Sequence, residues 1–320
     1  MNIKIMKRRF KFSLALILVT FGISFAQLNT VKSELERTKI REKDTLDGWK
    51  NFGQVNLLLN QSAFSNWVAG GENSIAGNLN AQYNFYYKKG SWTWDNLLQG
   101  SYGLSSTESK GLRKTDDRLE INSILGEKAF ENWSYSLFMN FKTQFVNGYH
   151  YDLDEDRGFR TSGLFKPAYL TFGPGLLWRK SQNFHFNLAP LTSKVTFLSG
   201  EVFTYTDLDG DGKKEAVSSN VIETYGVDPG KSYRYELGFY AAGYYKASLM
   251  ENITMENILS LYSNYLENPK NVDLDYTMNL IFKINKYLST NLSVQTIYDD
   301  DAFSGFQIRE VFGLGINVNL

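Results

Sequence analysis

One short segment of this chain carries acidic side chains at a spacing that holds calcium in other proteins. Asp207, Asp209 and Asp211 stand at alternate positions, and Gly212 follows them. Carboxylate oxygens two residues apart can turn inward together on a tight coil, and a glycine at the sixth position permits that coil. Ser218 stands at the twelfth position, where an EF-hand needs a bidentate glutamate. The pattern predicts a calcium-stapled loop and no other cofactor; the alternative is a solvated acidic hairpin without metal.

The chain has two histidines, and histidine is the residue most often used as a general base. His150 lies in a polar and aromatic segment, whereas His185 alternates with phenylalanines. A serine or aspartate nucleophile generally needs a histidine beside it, and no spacing here supports such a triad. The sequence therefore predicts a protein that is not an enzyme. A lipid-modifying activity at His185 is the remote alternative.

Composition narrows the classes of protein that could position these residues. The chain has 320 residues, 34 basic and 34 acidic side chains, and no cysteine. The absence of cysteine excludes disulfides, thiolate zinc sites and a cysteine nucleophile. The even charge balance argues against a nucleic-acid partner, which would favour a basic excess. Hydrophobic and aromatic contents of 42% and 15% are too high for a disordered chain.

The chain divides into three segments. Residues 1–26 combine a basic start, an apolar stretch and a small-x-small ending, and this is the pattern of a signal peptide that directs export. Residues 27–48 mix charges of both signs and predict a polar periplasmic tail. Residues 49–320 keep one character throughout and predict a single domain. No later apolar stretch is long enough for a membrane-spanning helix.

That single character is alternation with period two, which is typical of β-strands. In residues 133–145 aromatic and aliphatic side chains occupy one face, and serine, asparagine, lysine and glutamine occupy the other. Residues 75–87 and 272–282 repeat the pattern. The strands are longer than the five or six residues of ordinary soluble strands. A membrane barrel exposes such an apolar face to lipid and keeps polar groups inside. The alternative is a soluble β-sandwich, which would have to bury the apolar face against a second sheet.

The alternation predicts about twelve antiparallel strands in one transmembrane β-barrel. Their approximate bounds are 52–64, 74–89, 91–106, 118–129, 132–146, 167–180, 183–198, 233–248, 252–266, 272–286, 289–300 and 310–320. Short turns alternate with longer connections, predicted at 65–73, 107–117, 147–166, 199–232, 267–271 and 301–309. Short periplasmic turns and long extracellular loops are typical of the outer membrane of Gram-negative cells. Aromatic residues flank several short turns, as expected at lipid headgroups.

The alternation also predicts which charged residues face the interior. The candidates for lining the lumen are Lys142, Arg234, Glu236, Lys246, Asp273, Asp275 and Lys283. They carry both signs, so they can either bridge and close the interior or line a mildly selective channel. Twelve strands lie between the filled barrels of eight strands and the open porins of sixteen, so the strand count leaves both alternatives open.

Residues 59–74, LNQSAFSNWVAGGENS, resemble the hallmark segment of a domain-of-unknown-function family of Bacteroidota outer-membrane β-barrels. Further matches lie at residues 111–117, 166–170, 226–230, 263–266 and 297–301. The resemblance implies an outer-membrane location and no particular activity. The last strand also resembles the terminal strand that the barrel-assembly machinery recognises, although it ends in leucine instead of phenylalanine.

Three functions fit these expectations. The first is a narrow channel or transporter for small polar solutes or ions. The second is a structural or accessory protein that binds partners through its tail or loops. The third, remote one is the lipid-modifying enzyme. The partners expected in every case are outer-membrane lipid, lipopolysaccharide bridged by divalent cations at acidic loops, and the assembly machinery.

Overall fold

The computed structural model describes residues 47–63, 72–150, 159–181, 183–209, 212, 214–285, 288–299 and 303–319. The predicted signal peptide and all but the last two residues of the predicted tail lie outside these ranges. Among the described residues, no helix is long and apolar enough to cross a membrane.

The alternating sequence forms strands. Twelve of them are long: β1 (Gly48–Ser62), β2 (Ser74–Lys89), β3 (Trp92–Thr107), β4 (Gly111–Phe130), β5 (Trp133–Thr143), β8 (Ala168–Ser181), β9 (Phe184–Phe197), β12 (Tyr233–Met250), β13 (Ile253–Asn264), β14 (Asp273–Lys283), β15 (Leu288–Asp299) and β16 (Phe303–Asn319). Four are short and lie in the connections: β6 (Gly148–Tyr149), β7 (Arg160–Ser162), β10 (Phe203–Thr206) and β11 (Glu215–Ser218).

The twelve long strands close into one antiparallel barrel. Each pairs with the next long strand along the chain, and β16 returns to pair with β1, where Gln54 lies opposite Asn319. The two edge strands are joined over five pairs, Gln54–Leu58 against Gly315–Asn319, and a closed sheet is the form that strands take in a bilayer. The predicted twelve-stranded barrel is confirmed.

The two faces of the barrel wall differ in character. Outward side chains such as Leu79, Leu137 and Ile308 are 50%, 53% and 73% exposed. Inward side chains such as Glu120 and Thr277 are 0% and 1% exposed. This is the reverse of a soluble protein, in which apolar side chains gather in the core and charged ones remain at the surface.

The connections at the two ends differ in length. The short-turn end carries the connections at 90–91, 131–132, 182–183, 251–252 and 284–287. The opposite, long-loop end carries the connections at 144–167 and 198–232. Two predicted long connections are wrong: β4 already begins at Gly111 and β16 at Phe303, so most of 107–117 and 301–309 is strand. The polar residues of these segments suggested loops, but a strand at the barrel rim can present them to water.

The two longest connections fold against each other over the long-loop end. The β6–β7 and β10–β11 hairpins meet where the rings of His150 and Tyr205 stack, with their centroids 4.2 Å apart. Leu198, Val202 and Val227 form a small buried core beneath them. We call the described parts of residues 144–167 and 198–232 the loop cap.

Candidate functional site

The structure places all seven predicted lumen residues on the inward face of barrel strands. Lys142 lies on β5, Arg234, Glu236 and Lys246 lie on β12, and Asp273, Asp275 and Lys283 lie on β14. Paired residues on neighbouring antiparallel strands share a face. The pairing of Lys142 with buried Glu120, and of Lys246 with buried Glu256, identifies that face as the inner one.

The charges at the long-loop end form one cluster. The Lys194 ammonium lies 3.2 Å from the Glu236 carboxylate, and the Arg234 guanidinium lies 3.8 Å from it. Arg234 also reaches Glu267, with 2.9 Å between nitrogen and oxygen. Asn264 donates a hydrogen bond of 3.3 Å to Glu236. The cluster therefore joins β9, β12 and the connection after β13.

A second cluster lies at mid-height of the barrel. Arg118 forms an ion pair with Glu120, whose side chain is completely buried. The Glu120 carboxylate also accepts hydrogen bonds from the amides of Asn122 and Asn140, at 3.0 and 2.6 Å. A buried carboxylate requires such partners, because removal from water costs several kcal/mol unless polar groups replace the lost hydration.

A third group of charges lies near the short-turn end. Lys246 pairs with Glu256 at 2.6 Å on adjacent strands. Arg179 on β8 lies 3.4 Å from Asp95 on β3, although β4 and β5 separate these strands in the barrel. The Arg179–Asp95 pair therefore crosses a sector of the lumen.

Two arcs of the inner wall differ sharply. We call the first the polar wall; it comprises Asn80 and Gln82 on β2, Gln99 and Ser101 on β3, and Arg118 and Glu120 on β4. We call the second the aromatic wall; it comprises Phe138 on β5, Gly173 and Gly175 on β8, Ala189 on β9, and Tyr240 on β12.

The polar wall has hydrogen-bonding capacity left over. Gln82, Gln99 and Ser101 are at least nine-tenths buried. The Gln82 amide nitrogen, the Gln99 amide oxygen and the Ser101 hydroxyl have no hydrogen-bond partner among the described residues. Buried polar groups of this kind are normally satisfied by bound water or a polar solute. This arc can therefore hold hydrogen-bonding molecules inside the barrel.

The aromatic wall is packed instead. The rings of Phe138 and Tyr240 stack with their centroids 5.2 Å apart, although β8 and β9 separate their strands. They can meet because the inward residues between them on β8 and β9 are small: Gly173, Gly175, Ala189 and Thr192. Other apolar side chains also point inward and are buried: Leu97, Leu177 and Ile258. The lumen is therefore less polar than the alternation predicted.

The two histidines lie far apart. His185 is 1% exposed, and its ring lies 5.0 Å from that of Tyr244. Neither of its ring nitrogens has a hydrogen-bond partner in the described part of the chain, so no serine or carboxylate activates it there. His150 lies in the loop cap.

A cavity of about 510 Å³ lies under the loop cap, at the mouth of the barrel. The cluster of Lys194, Arg234 and Glu236 lines it, together with Asp299 of β15. Aromatic and hydroxyl groups line its sides: His150, Thr161, Tyr169, Thr196, Phe203, Thr204, Tyr205, Thr224 and Tyr225. Cationic side chains, anionic side chains and several aromatic rings are therefore available to one small ligand. We call this space the mouth cavity.

Hydrogen bonds tie the loop cap together around this cavity. The Tyr225 hydroxyl donates to the Thr161 carbonyl at 2.8 Å, and the Arg160 guanidinium donates to the Glu201 carbonyl at 2.7 Å. Burial raises the pKa of Tyr225 above its ordinary value, so this phenol remains a neutral donor. Burial, together with the charge of Arg160, lowers the pKa of Lys166.

The predicted calcium loop is described only in part. Asp207 and Asp209 lie directly after β10, whereas Asp211 lies outside the described residues. The Asp207 carboxylate accepts the Gly212 N–H at 2.9 Å, and Gly212 has a φ of +84°. In the described part of the chain, no three acidic or histidine side chains converge on one point. The calcium site remains a prediction.

The sequence missed several residues of these clusters. Glu120 and Lys194 occupy inward positions and were not among the predicted lumen residues. Glu120 was detectable in principle, because it alternates with Arg118 and Asn122 along one strand. The Arg179–Asp95 contact was not, because 84 positions separate the two residues.

Comparison with known proteins gives one family match. A family model described as a protein of unknown function (DUF3078) matches residues 59–149, from the end of β1 to β6. A domain-of-unknown-function match was expected, whereas the Bacteroidota origin remains a prediction. No curated protein matches the chain.

Solved structures with similar strand arrangements are membrane barrels. The translocator domain of autotransporter NalP from Neisseria meningitidis is 9% identical, with 91% of this chain and 92% of that chain covered and a TM-score of 0.37. An outer membrane channel from Pseudomonas putida F1 is 9% identical, with 87% and 98% covered and a TM-score of 0.39. Outer membrane phospholipase A from Escherichia coli is 10% identical, with 89% and 97% covered and a TM-score of 0.34. Likeness at these scores carries no argument about function, and the fold rests on the strand pairing.

Proposed function

We propose that this protein is an integral outer-membrane barrel with a closed lumen, which binds a small polar solute in the mouth cavity. A closed barrel with an apolar outer surface and a charged interior is stable in a bilayer and unfavourable in water. The long-loop end then faces the cell exterior and the short-turn end faces the periplasm. Aromatic rings at the short-turn end support the position in the membrane, since Trp49 contacts both Tyr87 and Trp94 where lipid headgroups are expected.

The observation that carries the closed lumen is the shielding of its charges. Glu120, Glu236 and Glu256 are at most 3% exposed, although all three point inward. A water-filled channel would expose the groups that line it. Their partners are neighbouring side chains instead, and these clusters occupy the long-loop end, the middle and the short-turn end of the barrel.

The mouth cavity supports the binding role. It offers cationic and anionic groups, hydroxyl groups and ring faces within about 510 Å³, which is the size of a small-molecule site. These groups suit a sugar or an amino acid better than an apolar compound. Binding is tested by the thermal shift of the detergent-solubilised protein with monosaccharides and zwitterionic amino acids. Tyr205→Ala should abolish any shift and Tyr149→Ala, outside the cavity lining, should preserve it.

Single-channel recording in planar bilayers tests the closed lumen. The full-length mature protein, folded as judged by heat-modifiable gel mobility, should give no stepwise current in potassium chloride. Regular current steps from the unmodified protein would contradict the proposal.

A narrow channel is the second candidate, and the polar wall favours it. The unpartnered groups of Gln82, Gln99 and Ser101 could carry water along β2 and β3. Swelling of liposomes in a monosaccharide solution distinguishes the two functions, because a channel that conducts slowly still equilibrates solute over minutes. An accessory role through the loop cap remains compatible with the closed lumen.

A further inference from the structure

The strand pairing between β8 and β9 is interrupted at mid-height of the barrel. On β8 and β9, Phe172 pairs with Ser193, and the next pair is Leu176 with Leu188. Three residues of β8 (173–175) therefore face four residues of β9 (189–192) without a ladder pair between them. On its other side β8 pairs with β5 without a break. We call the two unpaired stretches the β8–β9 seam.

Two prolines contribute to this interruption. Pro174 and Pro190 lie on the two sides of the seam, and neither has an N–H to donate to a neighbouring strand. The β9–β12 ladder also shifts here, from Gly238 opposite Thr192 to Tyr240 opposite Ala189. Residues 190–191 are therefore a bulge that pairs with neither neighbouring strand.

Side-chain hydroxyls hold the bulge on the β9 side of the seam. The Thr192 hydroxyl donates to the Ala189 carbonyl at 2.9 Å. The Tyr265 hydroxyl donates to the Pro190 carbonyl at 3.0 Å, from the connection that follows β13. Both hydrogen bonds fix the 190–191 bulge from the β9 side, and a side-chain hydrogen bond of this kind can be lost without breaking a strand ladder.

Apolar groups lie on both faces of the seam, and the buried Thr192 hydroxyl lies between them. On the outside, Phe172, Leu176 and Leu191 are 40%, 41% and 57% exposed. On the inside, Gly173, Gly175 and Ala189 carry no side chain larger than a methyl group, and the stacked rings of Phe138 and Tyr240 lie beside them. A hydrocarbon chain that passed through the seam would meet these apolar groups at its two faces and, between them, the Thr192 hydroxyl and the Leu188 and Leu191 carbonyls.

The seam is closed in this structure. A Cβ atom added to Gly173 would lie 2.6 Å from the Leu191 carbonyl oxygen, so the two backbones are in contact. Where a ladder is continuous, separating two strands in the bilayer core would break a row of backbone hydrogen bonds that lipid cannot replace. At the seam that cost is reduced because the ladder is already absent.

We propose that the β8–β9 seam is a lateral entry site for a lipid acyl chain, which inserts from the bilayer and packs against Phe138 and Tyr240. The inference rests on the membrane location given above as the proposed function, but not on solute binding in the mouth cavity. No bond is made or broken.

Cysteine labelling in liposomes tests the seam, because the natural chain has no cysteine. Three single variants are compared: Ala189→Cys at the seam, Ala242→Cys as an inward control on β12, and Leu191→Cys as a lipid-facing control. Each is treated with a maleimide attached to a phospholipid tail, and separately with a charged water-soluble thiol reagent. Heat-modifiable gel mobility confirms folding of each variant.

We expect the lipid-borne maleimide to modify the Ala189→Cys variant about tenfold faster than the Ala242→Cys variant, a ratio that corresponds to an ordinary difference in local opening. The static structure gives the opposite order, because Ala189 is fully buried and Ala242 is partly exposed. Adding Tyr265→Phe to Ala189→Cys should raise the labelling rate at the seam about fivefold, the effect of losing one hydrogen bond. Tyr245→Phe, an outward tyrosine on β12, should leave that rate unchanged.

Four results would overturn the proposal. Equal lipid-borne rates for Ala189→Cys and Ala242→Cys would mean that the seam does not open. A seam labelling rate that Tyr265→Phe leaves unchanged would mean that the bulge is not held as described. Faster modification of Ala189→Cys by the water-soluble reagent than by the lipid-borne one would place its access at the mouth. Failure of the Leu191→Cys thiol to react from lipid would instead contradict the membrane location itself, and the inference with it.

Discussion

The polar wall and the aromatic wall are arcs of one barrel with the same backbone geometry, yet different forces hold their inner sides together. The polar wall relies on a buried ion pair, amide hydrogen bonds and hydrogen-bonding capacity left for water or solute. The aromatic wall relies on ring stacking over glycines and on direct backbone contact. In the polar wall, substitutions should therefore destabilise the barrel mainly by removing a hydrogen-bond or ion-pair partner. In the aromatic wall they should do so mainly by changing side-chain volume.

The largest effect is expected at the centre of the polar wall. Glu120→Ala removes the carboxylate that pairs with Arg118 and leaves a buried cation without its counter-charge. We expect a loss of about 3–5 kcal/mol in the free energy of unfolding, measured by denaturant titration in detergent micelles.

The matched control replaces both charges. Arg118→Met combined with Glu120→Leu removes the ion pair together with its desolvation cost, and it should destabilise the barrel much less than Glu120→Ala alone. A double variant as unstable as the single one would mean that the pair does not account for the loss.

The stacked rings of the aromatic wall should give the next largest effect. Phe138→Ala leaves a cavity beside Tyr240 that neither lipid nor a neighbouring side chain fills, and we expect a loss of about 3 kcal/mol in the same titration. Phe172→Ala removes the same ring from the lipid-facing side of β8, where lipid tails take its place. Equal losses for the two variants would contradict the packed lumen.

A smaller effect is expected where the backbones of the aromatic wall touch. Gly173→Ala places a methyl group against the Leu191 carbonyl, and overpacking of this kind costs about 1–3 kcal/mol. Gly243→Ala on β12 is the control, because nothing lies within 4 Å of its added methyl group. If both variants retain full stability, β8 and β9 are not in close contact.

The smallest effect concerns the rim above the polar wall and depends on pH. The Glu72 carboxylate accepts the Ser109 backbone N–H, and this hydrogen bond lowers the pKa of Glu72 from its ordinary value of 4.5. The contact is fully formed above that ordinary value and is lost as the pH falls through the lowered one. Amide exchange at Ser109 should therefore accelerate below pH 4.5, beyond the intrinsic change with pH.

Glu72→Gln provides the control for this prediction. The amide oxygen is a weaker acceptor than a carboxylate, and it does not titrate in this range. Protection of the Ser109 amide in this variant should be lower and should show no step with pH. A step that persists in Glu72→Gln would assign the titration to another group.

The strand pattern could be predicted because alternate residues of a membrane-barrel strand face lipid and lumen. The two environments favour apolar and polar side chains respectively. Residues 133–145 and 272–282 alternate so strictly that β5 and β14 lie within a few residues of their predicted bounds. The prediction failed at 107–117, because Arg113, Lys114 and Asp116 look like loop residues. They belong to β4, where Lys114 pairs with Asp117 at 2.8 Å at the barrel rim.

The sequence by itself determined that the chain forms a barrel, how many strands it has and which face of each strand turns inward. It could do so because adjacent residues of a strand face lipid and lumen in turn. The resulting alternation is visible in a short stretch of sequence and needs no information about long-range contacts. Only the tertiary structure decided which charges pair, that Phe138 meets Tyr240, that the two long connections form one loop cap, and that residues 190–191 lose both neighbouring strands. Those outcomes depend on strand register and closure, which bring together residues far apart in the chain.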